Sequence, residues 1–457
     1  MTHNFLRGTA VAVLIVLAFA AGASAFDIVN DWGKVQPPPP PEVKGATLDG
    51  ATTAIIIMDM DQRKCASNAR CAATVPAIKR LYEAGRAAGA MFWYSVSTSA
   101  KTPEMIAPGF APKDGEWEPI QVPDKFFRSQ LENKLKAHNI KTAILCGHSA
   151  ESAGIDTAQA LVVRGYTVLV PVDCLATSNG PYAPYLEQYA AVHFTGNGPG
   201  SAGQLGNRAS LTRSTMIKFM GGSAQSAQTA PTGGEASATD IVNDWAKVQP
   251  PPVPKLKQVT LDGPTTVLVF TDMDQHQCFL NDRCAATIPA FQRLYAAGRA
   301  AGAMFWYSLP PDGAPDGCNG NWEKCWMVAP GFDPKDGEWE QKDDAGGTIH
   351  ASQVTTKSHL MDKMKARNIK TAILCGHSFA AMVMSNALNL ALNGYEVVVP
   401  TDCNASNGPI AAYLEQYAAW YVYKSDYVAD HSTLTRSTMI KFRSQKTPGV
   451  QESRAAR

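Results

Sequence analysis

Short apolar runs punctuate the chain, and each stops at a small, polar or acidic residue. Thr53–Met58, Ala90–Tyr94, Thr142–Cys146 and Thr167–Val172 are too brief for core helices and are rich in Ile, Val and aromatic residues, so they are predicted to be buried strands. Between them the apolar positions shift to helical spacing, over Ala73–Ala88, near Phe126–His138, after Gly147 and around Tyr185–Ala191. Strands alternating with helices predict βαβ units in a mostly parallel sheet. Right-handed crossovers then put helices on both faces, giving a doubly wound α/β fold.

The whole pattern occurs twice. Strands are predicted again at Thr266–Phe270, Ala303–Tyr307, Thr371–Cys375 and Glu396–Pro400, with helices at Ala286–Ala301 and Ser358–Arg367. The words themselves repeat. Asp-Ile-Val-Asn-Asp-Trp at Asp27 returns at Asp240, Ala-Ile-Leu-Cys-Gly-His-Ser at Ala143 returns at Ala372, and Leu-Thr-Arg-Ser-Thr-Met-Ile-Lys-Phe at Leu211 returns at Leu434. A tandem duplication of a unit of about 190 residues, the size of one domain, explains this. The expected domains are 26–220 and 240–445. Between them 221–239, rich in Gly, Ser, Ala and Thr, is expected to be a flexible linker, and 446–457 a disordered tail. Pro37–Pro41 and Pro250–Pro252 form an extended strap after each Asn-Asp-Trp. The repeat and a linker of this length lead to the expectation that the two copies pack against each other in a pseudo-twofold arrangement, and a homo-oligomer is also open.

At 457 residues two cores are expected, and a formal net charge of +1 gives no reason to expect nucleic acid as a partner. Arg7 precedes an apolar run, Thr9 to Ala20, and Ala23-Ser24-Ala25 fits a small-residue cleavage site. Residues 1–25 are therefore predicted to be a signal peptide, with a mature chain starting at Phe26 in the periplasm or outside the cell. The run is too short for a comfortable membrane span, and none is expected after cleavage. Export permits disulfides among the ten cysteines. Cys65–Cys71, Cys278–Cys284 and Cys318–Cys325 are expected as local staples. Cys146, Cys174, Cys375 and Cys403 sit at strand ends and are expected as buried thiols, with a Cys146–Cys174 bridge left open.

Candidate chemistry gathers where the third strand of each copy ends. Gly147-His148-Ser149 and Gly376-His377-Ser378 follow that strand and lead into a helix, and ligands of open α/β sheets bind at the carboxyl ends of the strands. A serine-hydrolase reading would chain Ser149, Asp173 and His193. It lacks the closing Gly, since Glu151 and Ala380 stand there, and its base becomes Tyr421 in the second copy. A helix cap is the plainer role for Ser149. Asp59 and Asp61, with Asp272 and Asp274, end the first strands, but no His stands near to complete a metal site, so neither metal nor cofactor is expected. Phe92-Trp93-Tyr94 is expected to be core strand. Trp117 and Trp339 either flank a pocket or pack locally.

An ordered set of residues gives each copy a family likeness. It consists of Asp59 ending the first strand, Lys125 ahead of a helix, the Gly147 turn, Thr157-Ala158 in the following helix, and Gly165-Tyr166 leading a strand that ends at Asp173. In these each copy resembles an isochorismatase-like domain of the cysteine-hydrolase superfamily. The resemblance implies a machinery of Asp, Lys and a nucleophilic Cys. The Asp is Asp59 or Asp272. The Lys is Lys125 in the first copy, whereas the second has Val354, with Lys357 three residues on. The Cys position holds Ala153 and Met382, so thiolate chemistry is excluded in both.

Family members that cleave the vinyl ether of isochorismate manage without the Cys, using the Asp as general acid and water to finish. The resemblance thus implies a first copy that hydrolyses a small carboxylate-bearing metabolite, Asp59 donating a proton and Lys125 binding the carboxylate. His148, Ser149, Asp173, His377 and Ser378 would contact ligand, and the bond His148–Ser149 falls where the family often has a cis peptide. The second copy would be non-catalytic. The alternative is a pseudoenzyme kept for ligand binding or assembly. On either reading Asp59, Lys125, Gly147 and Asp173 should converge at one sheet edge, with the Ala153 methyl where a thiol would sit.

Overall fold

The computed structural model describes residues 27–97, 102–177, 180–195, 205, 208–220, 240–273, 281–308, 331–340, 342–346, 349, 351–425 and 428–443. The expected leader, linker and tail lie outside these residues. The described residues fall into two compact units, one within 36–252 and one of 27–35 with those within 253–443.

In the first unit the strands are β1 (Thr53–Met58), β2 (Met91–Ser95), β3 (Thr142–His148), β4 (Thr167–Pro171) and β5 (Ala209–Thr212). They pair in parallel in the order β2-β1-β3-β4-β5, with Trp117–Glu118 added beside β2 and Leu175–Ala176 beside the end of β3. All six residues of β1 are buried, because helices cover both faces of the sheet, and this is why the run is apolar throughout rather than alternating. The helices are α1 (Val75–Ala87), α2 (Leu131–Ala137), α3 (Ile155–Val163) and α4 (Ala183–Phe194). Ile78 and Leu81 of α1 join Ile55, Ile57, Phe92, Tyr94 and Ile144 in one core. Trp117 packs against that core, so its role is local packing.

The second unit repeats the plan. Its strands are β6 (Thr266–Thr271), β7 (Met304–Tyr307), β8 (Thr371–His377), β9 (Glu396–Pro400) and β10 (Ser432–Thr435), all parallel, in the order β7-β6-β8-β9-β10. Its helices are α5 (Ile288–Ala300), α6 (Leu360–Ala366), α7 (Met384–Leu392) and α8 (Ala411–Lys424). Trp339 packs on its core as Trp117 does in the first unit.

Two features depart from the sequence reading. Strands β5 and β10 extend each sheet beyond the closing helix. They are short and mix Ser and Thr with Leu, so no apolar run announces them. The helix after Gly147 begins only at Ile155, preceded by a wide π-helical turn, Ala150–Gly154, and the second unit has the same turn at Phe379–Val383.

The cysteines require a correction. Cys65–Cys71 is bonded as expected, but Cys146–Cys174 and Cys375–Cys403 are disulfides too, not buried thiols. The reason is proximity. The turn after β4 folds back along β3, and the Gly147 amide donates to the Cys174 carbonyl at 2.7 Å. Cys284 is disulfide-bonded, whereas Cys278, Cys318 and Cys325 lie outside the described residues. Among the described residues no helix is long and apolar enough to cross a membrane.

Each unit also holds a segment from the far side of the repeat. Ile28–Asp31 forms a helical turn that packs on α8 and on the turn Thr401–Cys403 of the second unit. The equivalent Asp240–Lys247 belongs to the first unit, where Gln188 of α4 donates to the Trp245 carbonyl at 3.0 Å.

Candidate functional site

The strand order turns around at β1 and β3. The chain leaves β1 toward β2 on one side and leaves β3 toward β4 on the other, so their carboxyl ends flank a crevice. Asp59 follows β1 directly. Its φ of 50° lies in the left-handed region that few non-glycine residues adopt. The backbone there is held by Asp59 N donating to Ser95 O at 3.0 Å. The carboxylate is fully engaged. Oδ1 accepts from Ser95 Oγ at 2.7 Å, and Oδ2 pairs with Lys125 Nζ at 2.8 Å.

Lys125 is completely buried, and its ammonium also donates to Ile120 O at 3.3 Å. A buried ammonium is tolerable because a carboxylate and a carbonyl replace its water. Thr157 of α3 fastens the loop that delivers it. The Lys125 amide donates to Thr157 Oγ1, and that hydroxyl donates to Pro123 O, each at 3.4 Å. This explains the Thr of the Thr-Ala pair.

Gly147 lets β3 pass the end of β1. Its φ is 116°, and a Cβ there would stand 2.1 Å from Met58 O. The bonds His148–Ser149 and His377–Ser378 are both cis. Ala153 is buried in the π-helical turn. His148 Nε2 lies 3.4 Å from Asn68 Nδ2, which also donates to Thr177 O at 3.2 Å. Thr177 N in turn donates to buried Glu187, which Arg70 holds through two hydrogen bonds. Asn281, His377, Ser406, Glu415 and Arg283 build the same network in the second unit.

The sequence-predicted residues separate into groups. Asp59, Lys125 and the Gly147–Ser149 turn stand at the carboxyl ends of β1 and β3. Asp173 is occupied elsewhere, accepting from Ser214 N at 2.8 Å and from Ser214 Oγ at 2.5 Å. Asp61 is committed to Ser97, accepting from its amide and its hydroxyl. Ser149 makes no side-chain cap; its carbonyl accepts from Gly154 N at 2.8 Å instead. His193 faces Gln159 Nε2 at 2.9 Å and Tyr189 OH at 3.5 Å, and burial lowers its pKa to about 4. Among the described residues no hydrogen bond links Ser149, His193 and Asp173.

Sequence reasoning missed three groups. Ser95 holds Asp59, and its retention as Ser308 after the same Met-Phe-Trp-Tyr was the available signal. Asp124 and Asp156 gave none, since the second copy has Gln353 and Ser385. Burial, reinforced by Asp124, pushes the Asp156 carboxyl well above the usual carboxylate range beside Lys125.

The second unit keeps the frame, with Val354 standing where the first unit has its Lys. Asp272 has φ 45° and accepts from Ser308 Oγ at 3.2 Å. Val354 is buried at the Lys position, and Asn386, in place of Thr157, accepts from Thr355 N and Oγ1. Lys357 lies 4.0 Å from Asp343 instead. Met382 occupies the Cys position in the π-helical turn. Ser378 is buried with no hydrogen-bond partner for Oγ among the described residues, and burial lowers the His377 pKa to about 4. Asp274 lies outside the described residues. Among those described, no three His, Cys, Asp or Glu side chains stand where they could hold a metal ion.

A family model described as Isochorismatase domain matches residues 53–191 and again 266–413, together more than half of the chain. Similar solved structures include a cysteine hydrolase from Pseudomonas syringae pv. phaseolicola 1448A, at 18% identity, covering 38% of this chain and 94% of that one with a TM-score of 0.32. An isochorismatase from Pseudomonas putida KT2440 is 18% identical, covering 42% and 98% with a TM-score of 0.31. The MAR1 ribonuclease from Caenorhabditis elegans is 17% identical, covering 47% and 100% with a TM-score of 0.31. No curated protein matches.

Proposed function

Because this chain belongs to the isochorismatase family, we propose that its first unit hydrolyses a small carboxylate-bearing metabolite without a thiol, and that its second unit does not catalyse. The observation that carries the reading is the buried Asp59–Lys125 pair, present in one unit and replaced by Asp272 with Val354 in the other.

In the resting site Lys125 neutralises Asp59. A substrate carboxylate can draw the ammonium to itself, and Asp59, carrying a proton, then acts as the general acid. Protonated Asp59 then gives that proton to the terminal carbon of an enol ether. A C–H bond forms from the double-bond electrons, and the ether carbon becomes an oxocarbenium ion. Water adds to that carbon and returns a proton to the Asp59 carboxylate. The hemiketal breaks its C–O bond, releasing an alcohol and a ketone. The predicted leader and the disulfides support a site of action in the periplasm or outside the cell.

The test is a panel of small carboxylates and enol ethers with three variants. Asp59→Asn should lower kcat by about 100-fold or more, because the amide has no proton to give. Lys125→Met should raise KM as well, and Asp272→Asn should change neither. Unchanged turnover in Asp59→Asn overturns the mechanism. A pure binding role is the second reading, favoured by the missing thiol in both units. Carboxylate binding that depends on Lys125 without any turnover would select it.

A further inference from the structure

The Asp-Ile-Val-Asn-Asp-Trp segments make the same contacts in both units. In the first, Arg213 Nε pairs with Asp240 Oδ2 at 2.6 Å and Arg213 Nη2 donates to Asn243 Oδ1 at 3.2 Å. In the second, Arg436 Nε pairs with Asp27 Oδ2 and Arg436 Nη2 donates to Asn30 Oδ1 at 2.8 Å. Gln188 reaches the Trp245 carbonyl, and Gln416 reaches that of Trp32 at 2.8 Å. The apolar side chains Ile28, Trp32, Ile241 and Trp245 are all buried. Ile241 lines a small cavity together with Val170, Leu211, Ala190 and Phe194.

The receptor is built as well as its occupant. Arg213 stands on a turn that Asp173 fixes through Ser214, and Arg80 Nη1 donates to that same hydroxyl at 2.5 Å. Asp402, Ser437 and Arg293 fix the turn that presents Arg436. Asp173, expected at the ligand, thus acts on the arginine that reads the segment.

We propose that each unit carries a peptide-recognition site that reads Asp-x-x-Asn-x-Trp, and that the second unit's site can take this segment from a second copy of the chain. Three observations support it. The two segments are identical over six residues, so each fits either receptor. In both units recognition uses one arginine bonded to both the Asp and the Asn, one glutamine bonded to the Trp carbonyl, and burial of the Ile and Trp side chains, which are local features that do not depend on where the segment is tethered. The occupant of the second unit's receptor comes from the N-terminal side of its own chain, with only Val35 between its last turn and the other unit.

The experiment vacates that receptor in the full chain. Arg436→Asp faces Asp27 with a like charge and should release the segment. A fluorescent peptide of residues 27–36 carrying Asp27→Arg should then bind the Arg436→Asp chain saturably, and at least tenfold more tightly than the unaltered peptide does. In a second chain, Asp27→Ala with Trp32→Ala, the unaltered peptide and a peptide of residues 240–249 should bind within threefold of each other. The unaltered chain, its receptor filled, should bind either at least tenfold more weakly. Failure of both vacated chains to bind, with their circular dichroism unchanged, overturns the proposal, as does binding indifferent to the charge at position 436. Should the double variant fail to fold, the charge-reversed pair decides alone.

Discussion

Gly147 is the residue on which the crevice turns. Its φ is positive, and a Cβ placed there would stand 2.1 Å from Met58 O, which leaves no room for a side chain. Gly147→Ala is expected to cost about 3 kcal/mol or more, the range of backbone strain combined with overpacking, read as a drop in the urea midpoint of the first unit. Buried histidines make a second expectation. His193 and His377 have pKa values near 4 when folded and 6.5 when unfolded. Below pH 6.5 the unfolded chain takes up protons that the folded one refuses, so stability held above 6.5 is lost as the pH falls toward 4, by about 3 kcal/mol for each. Buried Glu187 and Glu415 have raised pKa values and work the other way. The useful measurement is therefore the difference between the unaltered chain and His193→Gln, whose first-unit midpoint should depend less on pH between 7 and 4.5. At this scale the sequence was informative where a residue type has few uses. Asp59 with Lys125 was legible through the family resemblance, which puts an acid at the end of the first strand and a lysine ahead of the helix that precedes β3. Asp173 was not, since an Asp ending a strand serves a turn as readily as a ligand.

Among the elements, the disulfides lie directly under the crevice. Cys146 precedes Gly147 on β3, and its bond to Cys174 pins the turn after β4 to that strand, closing a loop across a separation of 28 residues. Loop-closure entropy puts its contribution at about 3–4 kcal/mol, so Cys146→Ala with Cys174→Ala should lower first-unit stability by that amount in a denaturant titration. The same change should loosen Gly147, whose amide rests on the Cys174 carbonyl. Strands β1 and β9 match their apolar runs residue for residue, because burial on both faces leaves a continuous signal. Strands β5 and β10 escaped because a four-residue edge strand with Ser and Thr has no such signature. The π-helical turns escaped because a widened turn differs from an α-helix by one residue per turn, and no residue type marks it.

At the level of the whole molecule, duplication is what made two domains legible, but repeated words do not say which copy keeps which segment. Residues 27–35 precede the first unit in sequence and belong to the second, while 240–252 follow the linker and belong to the first. Each half of the gene product is therefore completed by a piece encoded in the other half. The covalent path between them becomes dispensable once folding is done. With a protease site inserted among residues 221–239 and cut in the native protein, the two fragments should elute together and separate only in denaturant. Arg213→Ala combined with Arg436→Ala should let the cut fragments part without it. A chain threaded in this way behaves as two polypeptides that were translated as one, and losing the tether would leave the clasp intact.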